Sequence, residues 1–188
     1  MIAAKQLRNK SISEYVLYIW QIEDIIRAFG LDIEKIDQNI ISRYADDVDK
    51  KAIREWYDNM ISGMVNEQKQ SFGHLQFIMN VVDDMNDLHM KLLQTPEQIS
   101  YNALFFQILP VLQEFRAKNK SGAEVNDVDL ALTALYGTTM LKISGKEVSK
   151  ETMDAIQQLA KWLNLLSQKY KDWEEDKLKF EDYEFTML

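Results

Sequence analysis

The run from Ser11 to Phe29 restricts the fold more than any other stretch. It reads Ser-Ile-Ser-Glu-Tyr-Val-Leu-Tyr-Ile-Trp-Gln-Ile-Glu-Asp-Ile-Ile-Arg-Ala-Phe. It is too apolar for a surface helix, so protein must cover it on most sides. Stepping about 100° per residue, one arc gathers Ile12, Tyr15, Tyr18, Ile19, Ile22, Ile25, Ile26 and Phe29. The other side mixes Val16, Leu17 and Trp20 with Glu23, Asp24 and Arg27. An unpaired buried charge is very costly, so those three charges must pair or face a cavity if that side is covered. Glu23 and Arg27 have i, i+4 spacing and Asp24 and Arg27 i, i+3 spacing, both of which bring side chains together on a helix. Two readings follow, apart from simple exposure. One is an internal ion-pair network tying this helix to its neighbours. The other is a polar pocket under Trp20 in which Trp20, Glu23, Asp24 and Arg27 bind a small ligand.

The ends of this helix are marked. Ser11 and Glu14 have capping-box spacing, and Gly30 is a natural C-cap. Two prolines and six glycines in 188 residues are too few for the turns that sheets need, which favours long helices. A second, shorter helix is expected after Asp32, with Ile33, Ile36, Ile40 and Ile41 on one side. A third carries Ile53, Trp56, Tyr57, Met60, Ile61, Met64 and Val65 at amphipathic spacing. A fourth is expected from about His74 to Gln94, with Leu75, Ile78, Val82, Met85, His89 and Leu92 inward. The third and fourth are expected to form a hairpin, the alternative being one helix bent at Gly73. Thr95-Pro96 starts a fifth helix running to about Lys118, with Pro110 inside it. Asn119 to Glu124 reads as a loop, and Asn126 caps a sixth helix to roughly Lys142. A long last helix begins near Ser149, with Met153, Ile156, Leu159, Ala160, Leu163, Leu166 and Tyr170 in its stripe.

Several chemistries lack their residues. With no cysteine, disulfides, thiol catalysis and thiolate zinc sites are excluded. His74 and His89 are the only histidines, and on one helix they would stand about 22 Å apart, too far to share a metal. Asp83, Asp84 and Asp87 near His89 read as a solvated face. Gly145-Lys146 is followed by Glu147 where a phosphate-binding loop needs Ser or Thr. No nucleophile–base–acid arrangement has local support. The net charge of −8 repels phosphate backbones, and no basic patch offsets it, so nucleic acid is not an expected partner. Neither a leader peptide nor a membrane span is read from the hydropathy, so a soluble cytoplasmic protein is expected. The acids at the end, among them Glu174, Glu175, Asp176, Glu181, Asp182 and Glu184, suggest a loosely packed acidic tail over 174–188.

The segment Ala4-Lys5-Gln6-Leu7-Arg8 and the run Ser13 to Arg27, with the Tyr57-Asp58 region and the Gly73-His74 turn, resemble a small bacterial family of gut anaerobes known only as a domain of unknown function. The resemblance implies a single helical domain and a bacterial origin. It carries no activity, so it assigns no catalytic residue.

The expected architecture is therefore all-α. A single domain over 1–188 forms a bundle of six or seven helices, with a central N-terminal helix and a long C-terminal helix. The expected function is that of a non-catalytic cytoplasmic interaction or adaptor protein, homo-oligomeric or bound to a protein partner, without cofactor, metal or membrane. The alternative is a small-ligand-binding domain or enzyme using Trp20, Glu23, Asp24 and Arg27.

Overall fold

The computed structural model describes residues 2–45, 47–118 and 125–180. Among these the backbone forms eight α-helices and no strand: α1 (Ile2–Lys10), α2 (Ile12–Ala28), α3 (Ile33–Asn39), α4 (Lys50–Asn66), α5 (Gln76–Gln94), α6 (Ile99–Lys118), α7 (Asp127–Ile143) and α8 (Lys150–Glu174), with a 3-10 turn at Ile41–Arg43. The fold is all-α, as the sparse glycine and proline imply. The expected loop at 119–124 and the part of the expected 174–188 tail from 181 to 188 lie outside the described residues. Helix α1 precedes the first helix read from the sequence. Helices α4 and α5 are separate, joined by the connection 67–75 in which Gly73 takes φ +79°. Among the described residues no helix is long and apolar enough to cross a membrane.

Local signals set the helix ends. The Asp32 side chain accepts from the Glu34 and Lys35 amides at the start of α3, and Asp49 accepts from Ala52 at the start of α4. Asn126 and Ser149 cap α7 and α8 in the same way. Helix α2 ends on Gly30 at φ +68°, where the Gly30 amide donates to Arg27 O and the Leu31 amide to Ile26 O. Helix α6 runs through Pro110 without interruption.

Tertiary contacts divide the chain into two compact units, one of residues 1–10 and 14–81 and one of 11–13 and 82–188. In the first unit, α2 buries Val16, Ile19, Trp20, Ile22, Glu23 and Ile26. The centre of its buried face lies nearer Val16 and Glu23 than the arc of isoleucines indicates, so a charged residue faces inward. Helix α3 and the 3-10 turn pack on α4, whose Ile53, Tyr57, Met60 and Met64 are buried. In the second unit, α6, α7 and α8 pack on one another. The Ser13 amide and hydroxyl meet Ser167 Oγ at 3.2 and 2.8 Å there. The inward positions read from the sequence, Leu75 just before α5 and Ile78, Val82, Met85, His89 and Leu92 on it, are all buried.

Candidate functional site

Helix α2 presents Glu23 and Arg27 one turn apart, and both reach the connection between α4 and α5. Glu23 is 0% exposed. Its Oε1 accepts the Leu75 amide at 2.8 Å, and its Oε2 lies 2.6 Å from His74 Nδ1. A carboxylate only accepts, so Nδ1 carries the proton in this pair. The His74 ring stacks on Trp20 with centroids 4.1 Å apart and planes 12° from parallel. The ring keeps part of its surface in solvent, and among the described residues it makes no second hydrogen bond. Burying a carboxylate is tolerable here because an amide and an imidazole replace its water.

Arg27 completes the arrangement. Its Nη1 donates to Asp24 Oδ1 at 2.8 Å, and Nε and Nη2 donate to Lys69 O at 3.2 and 3.1 Å. Nη2 also donates to Gly73 O. The Arg27 side chain is 14% exposed, whereas Asp24 is about half in solvent. The structure thus brings all four sequence candidates, Trp20, Glu23, Asp24 and Arg27, into one cluster. Arg27 and Glu23 both reach the backbone of the α4–α5 connection.

The connection is closed on its own account as well. Glu67 Oε2 accepts the Gln76 amide at 2.6 Å, and Leu75 packs against Gly63, where an added Cβ would lie 3.2 Å from the leucine side chain. The end of α4 therefore meets the start of α5, and residues 68–74 loop between them. Glu23 and Glu67 take the first amides of α5, so His74 precedes the helix instead of lying on it. At the tip, Phe72 is 78% exposed.

A second polar cluster lies in the other unit. His89 is fully buried on α5, within an aromatic box of Tyr101, Phe105 and Trp162 at 5.9, 4.6 and 5.1 Å between ring centres. Its Nδ1 pairs with Tyr101 Oη at 2.8 Å. Its Nε2 is 3.9 Å from Asp127 Oδ2, beyond hydrogen-bond reach but within ion-pair range. Arg116 holds the same carboxylate at 2.5 Å. Burial raises the Tyr101 hydroxyl well above its usual value. His89 and then Arg116 hold Asp127 below the usual carboxylate range, against the opposing effect of burial. Asp127 and Arg116 also line an open cavity of about 310 Å³ with Asn86, Met90, Val125 and Asn126. No group of three or more His, Asp or Glu side chains among the described residues is placed to hold a metal.

Sequence reasoning missed His74 as the partner of Glu23 and the role of Asp127. No local signal marks either, because the partners are 51 and 38 positions apart. No curated protein and no solved structure matches the chain. A family model does match over residues 1–177, and the chain belongs to that family, the Domain of unknown function (DUF4924).

Proposed function

We propose that this protein is a non-catalytic interaction protein that works by self-association. One observation carries the reading. Large apolar side chains stand in solvent, Phe72, Ile99, Phe106 and Ile143 foremost, each at least 65% exposed. Where such side chains form a contiguous patch, they mark an interface. Arg27 and Glu23 support the same reading, since each spends hydrogen bonds on the chain's own backbone. A bacterial, cytoplasmic setting fits the cysteine-free sequence and the family resemblance. Nucleic acid is a poor partner for a net charge of −8. Light scattering across a wide concentration range tests the reading: a mass rising towards a dimer is expected, and a strict monomer throughout would remove it.

The Glu23–His74 pair favours a second reading, a small-ligand or enzymatic site. A buried carboxylate that fixes Nδ1–H leaves Nε2 as a base or ligand, the arrangement that orients catalytic imidazoles. A thermal-shift screen with polar metabolites tests it. A stabilising compound whose effect disappears in His74→Asn, with the fold intact, supports this reading; no stabilisation of the wild type counts against it.

A further inference from the structure

The contacts that fix the α4–α5 connection leave one reactive atom over. Glu23 holds the His74 ring by Nδ1 at 2.6 Å, and Trp20 lies against its face. The ring is thereby set in orientation and in tautomer, with its free lone pair on Nε2. Nε2 makes no hydrogen bond among the described residues and is not buried.

Two familiar uses of such a nitrogen lack what they need. A histidine that activates a nucleophile holds a hydroxyl or thiol within hydrogen-bond range, and Nε2 holds neither among the described residues. A metal needs further ligands, and no group of three His, Asp or Glu side chains among the described residues is placed to hold one. The ring itself is then the nucleophile.

The surroundings select the electrophile. When Nε2 forms a bond the ring becomes positively charged. The Glu23 carboxylate on Nδ1–H offsets that charge from a fully buried position, where water does not weaken it. On the other side, Lys69 supplies the opposite sign. Its Nζ lies over Gly73, the neighbour of His74, 3.5 Å from where a Cβ on that glycine would stand. Among the described residues this ammonium pairs with no carboxylate. Glu67, the nearest acid in sequence, has one oxygen on the Gln76 amide, and Arg27 is taken by Asp24 and by two carbonyls. An electrophile that itself carries negative charge meets an unpaired cation here, and a phosphoryl group is of that kind.

We propose that His74 Nε2 accepts a phosphoryl group from a donor of the phosphoramidate or acyl-phosphate class. The proposal rests on the small-ligand or enzymatic reading of the Glu23–His74 pair and names its substrate class. The Nε2 lone pair forms the N–P bond. The bond from phosphorus to the donor's nitrogen or oxygen breaks, and its electron pair leaves with the donor. Nδ1 keeps its proton against Glu23. The product is an Nε2-phosphorylated imidazolium, with Glu23 compensating the ring and Lys69 the phosphoryl oxygens. Glu23 acts through the ring and is a positioning residue.

Potassium phosphoramidate and the full chain test this. The wild type gains one phosphoryl group in its intact mass, about 10-fold faster than N-acetylhistidine does. Peptide mapping finds it on His74 and not on His89, which is 0% exposed. Phosphorus NMR places it on Nε2. Lys69→Gln keeps the backbone carbonyl that Arg27 holds and slows transfer about 5-fold. Glu23→Gln slows it about 10-fold and spreads the phosphoryl group over Nε2 and Nδ1, a change of isomer that a purely structural role does not produce. Transfer no faster than to N-acetylhistidine, or unchanged in both variants, overturns the proposal. Diethyl pyrocarbonate, a general reagent for accessible imidazoles, separates it from the broader reading. A His74 that this reagent modifies but phosphoramidate does not removes phosphoryl transfer alone. A His74 inert to both removes the Glu23–His74 site as well.

Discussion

Replacing Arg27 by methionine removes the guanidinium and keeps much of the aliphatic stem. Three acceptors lose their donor: Asp24, Lys69 O and Gly73 O. The Asp24 pair matters least. Asp24 is 45% exposed, so its carboxylate returns to water and the loss is under ~1 kcal/mol. The two carbonyls matter more. Hydrogen bonds from a charged donor contribute about 1.5–3 kcal/mol each, and the lower end applies at these half-buried positions. The total is about 3 kcal/mol. For a chain of this length, that lowers the melting temperature by about 6–12 °C. Urea unfolding followed by circular dichroism measures the free-energy change. Arg27→Lys keeps the charge but lacks the planar fork that reaches both carbonyls, so its cost should be about half as large. A change within ~0.5 kcal/mol for Arg27→Met, the scatter of ordinary surface substitutions, would refute the clamp. Water would then satisfy both carbonyls, and the α2 contact would contribute nothing to the loop.

The buried carboxylate makes a graded prediction. Glu23→Gln keeps an acceptor for the Leu75 amide and should cost about 1 kcal/mol, whereas Glu23→Leu strands that amide and His74 and should cost about 3 kcal/mol; equal costs in urea unfolding would show that the polar contacts carry no weight. Asp127 predicts a pH dependence. Its folded pKa is depressed, so its stabilising contribution is present in full above the unfolded value near ~4 and is lost as pH falls through the folded value. Asp127→Asn should therefore flatten the acid-side decline of stability, and parallel pH profiles for the two proteins would sink the assignment. At Gly73, φ +79° is strained for any side chain, and an added Cβ meets the Lys69 side chain at 3.4 Å. Gly73→Ala should cost about 1–2 kcal/mol, which a shift in the urea midpoint checks.

The helices were legible where one face alone is buried. Helix α5 alternates apolar and polar residues at helical spacing, and its five expected inward positions, with Leu75 just before it, are in the core. Helix α8 was read less completely. Its stripe from Met153 to Tyr170 omits Trp162, which is 0% exposed, because the buried arc of that helix is wider than one stripe. Helix α1 was not read at all, since Ile2-Ala3-Ala4-Lys5-Gln6-Leu7-Arg8-Asn9-Lys10 shows no repeating apolar face. At α4 the pattern overreached: Val65 continues the stripe but stands 47% exposed beside the loop. A period of 3.6 residues says which side chains share a face, and tertiary packing decides how much of that face is covered.

The cluster on α2 was legible as a set and illegible as an arrangement. Glu23, Asp24 and Arg27 stand out because charges interrupt an apolar helix. Their partners do not stand out, because Leu75 contributes an amide and Lys69 and Gly73 contribute carbonyls, groups that every residue except proline carries alike. His74 had an identity to notice, yet its place before α5 depends on side chains at 23 and 67 taking the helix's first amides. A ligand site and a structural clamp therefore look the same in sequence: both are charges embedded in an apolar helix. What separates them is where the polar atoms point. Arg27 spends its donors on two carbonyls four residues apart in one loop, and Glu23 takes the amide that ends that loop. Contacts of that kind shape a backbone, and the backbone they shape carries Phe72 into solvent.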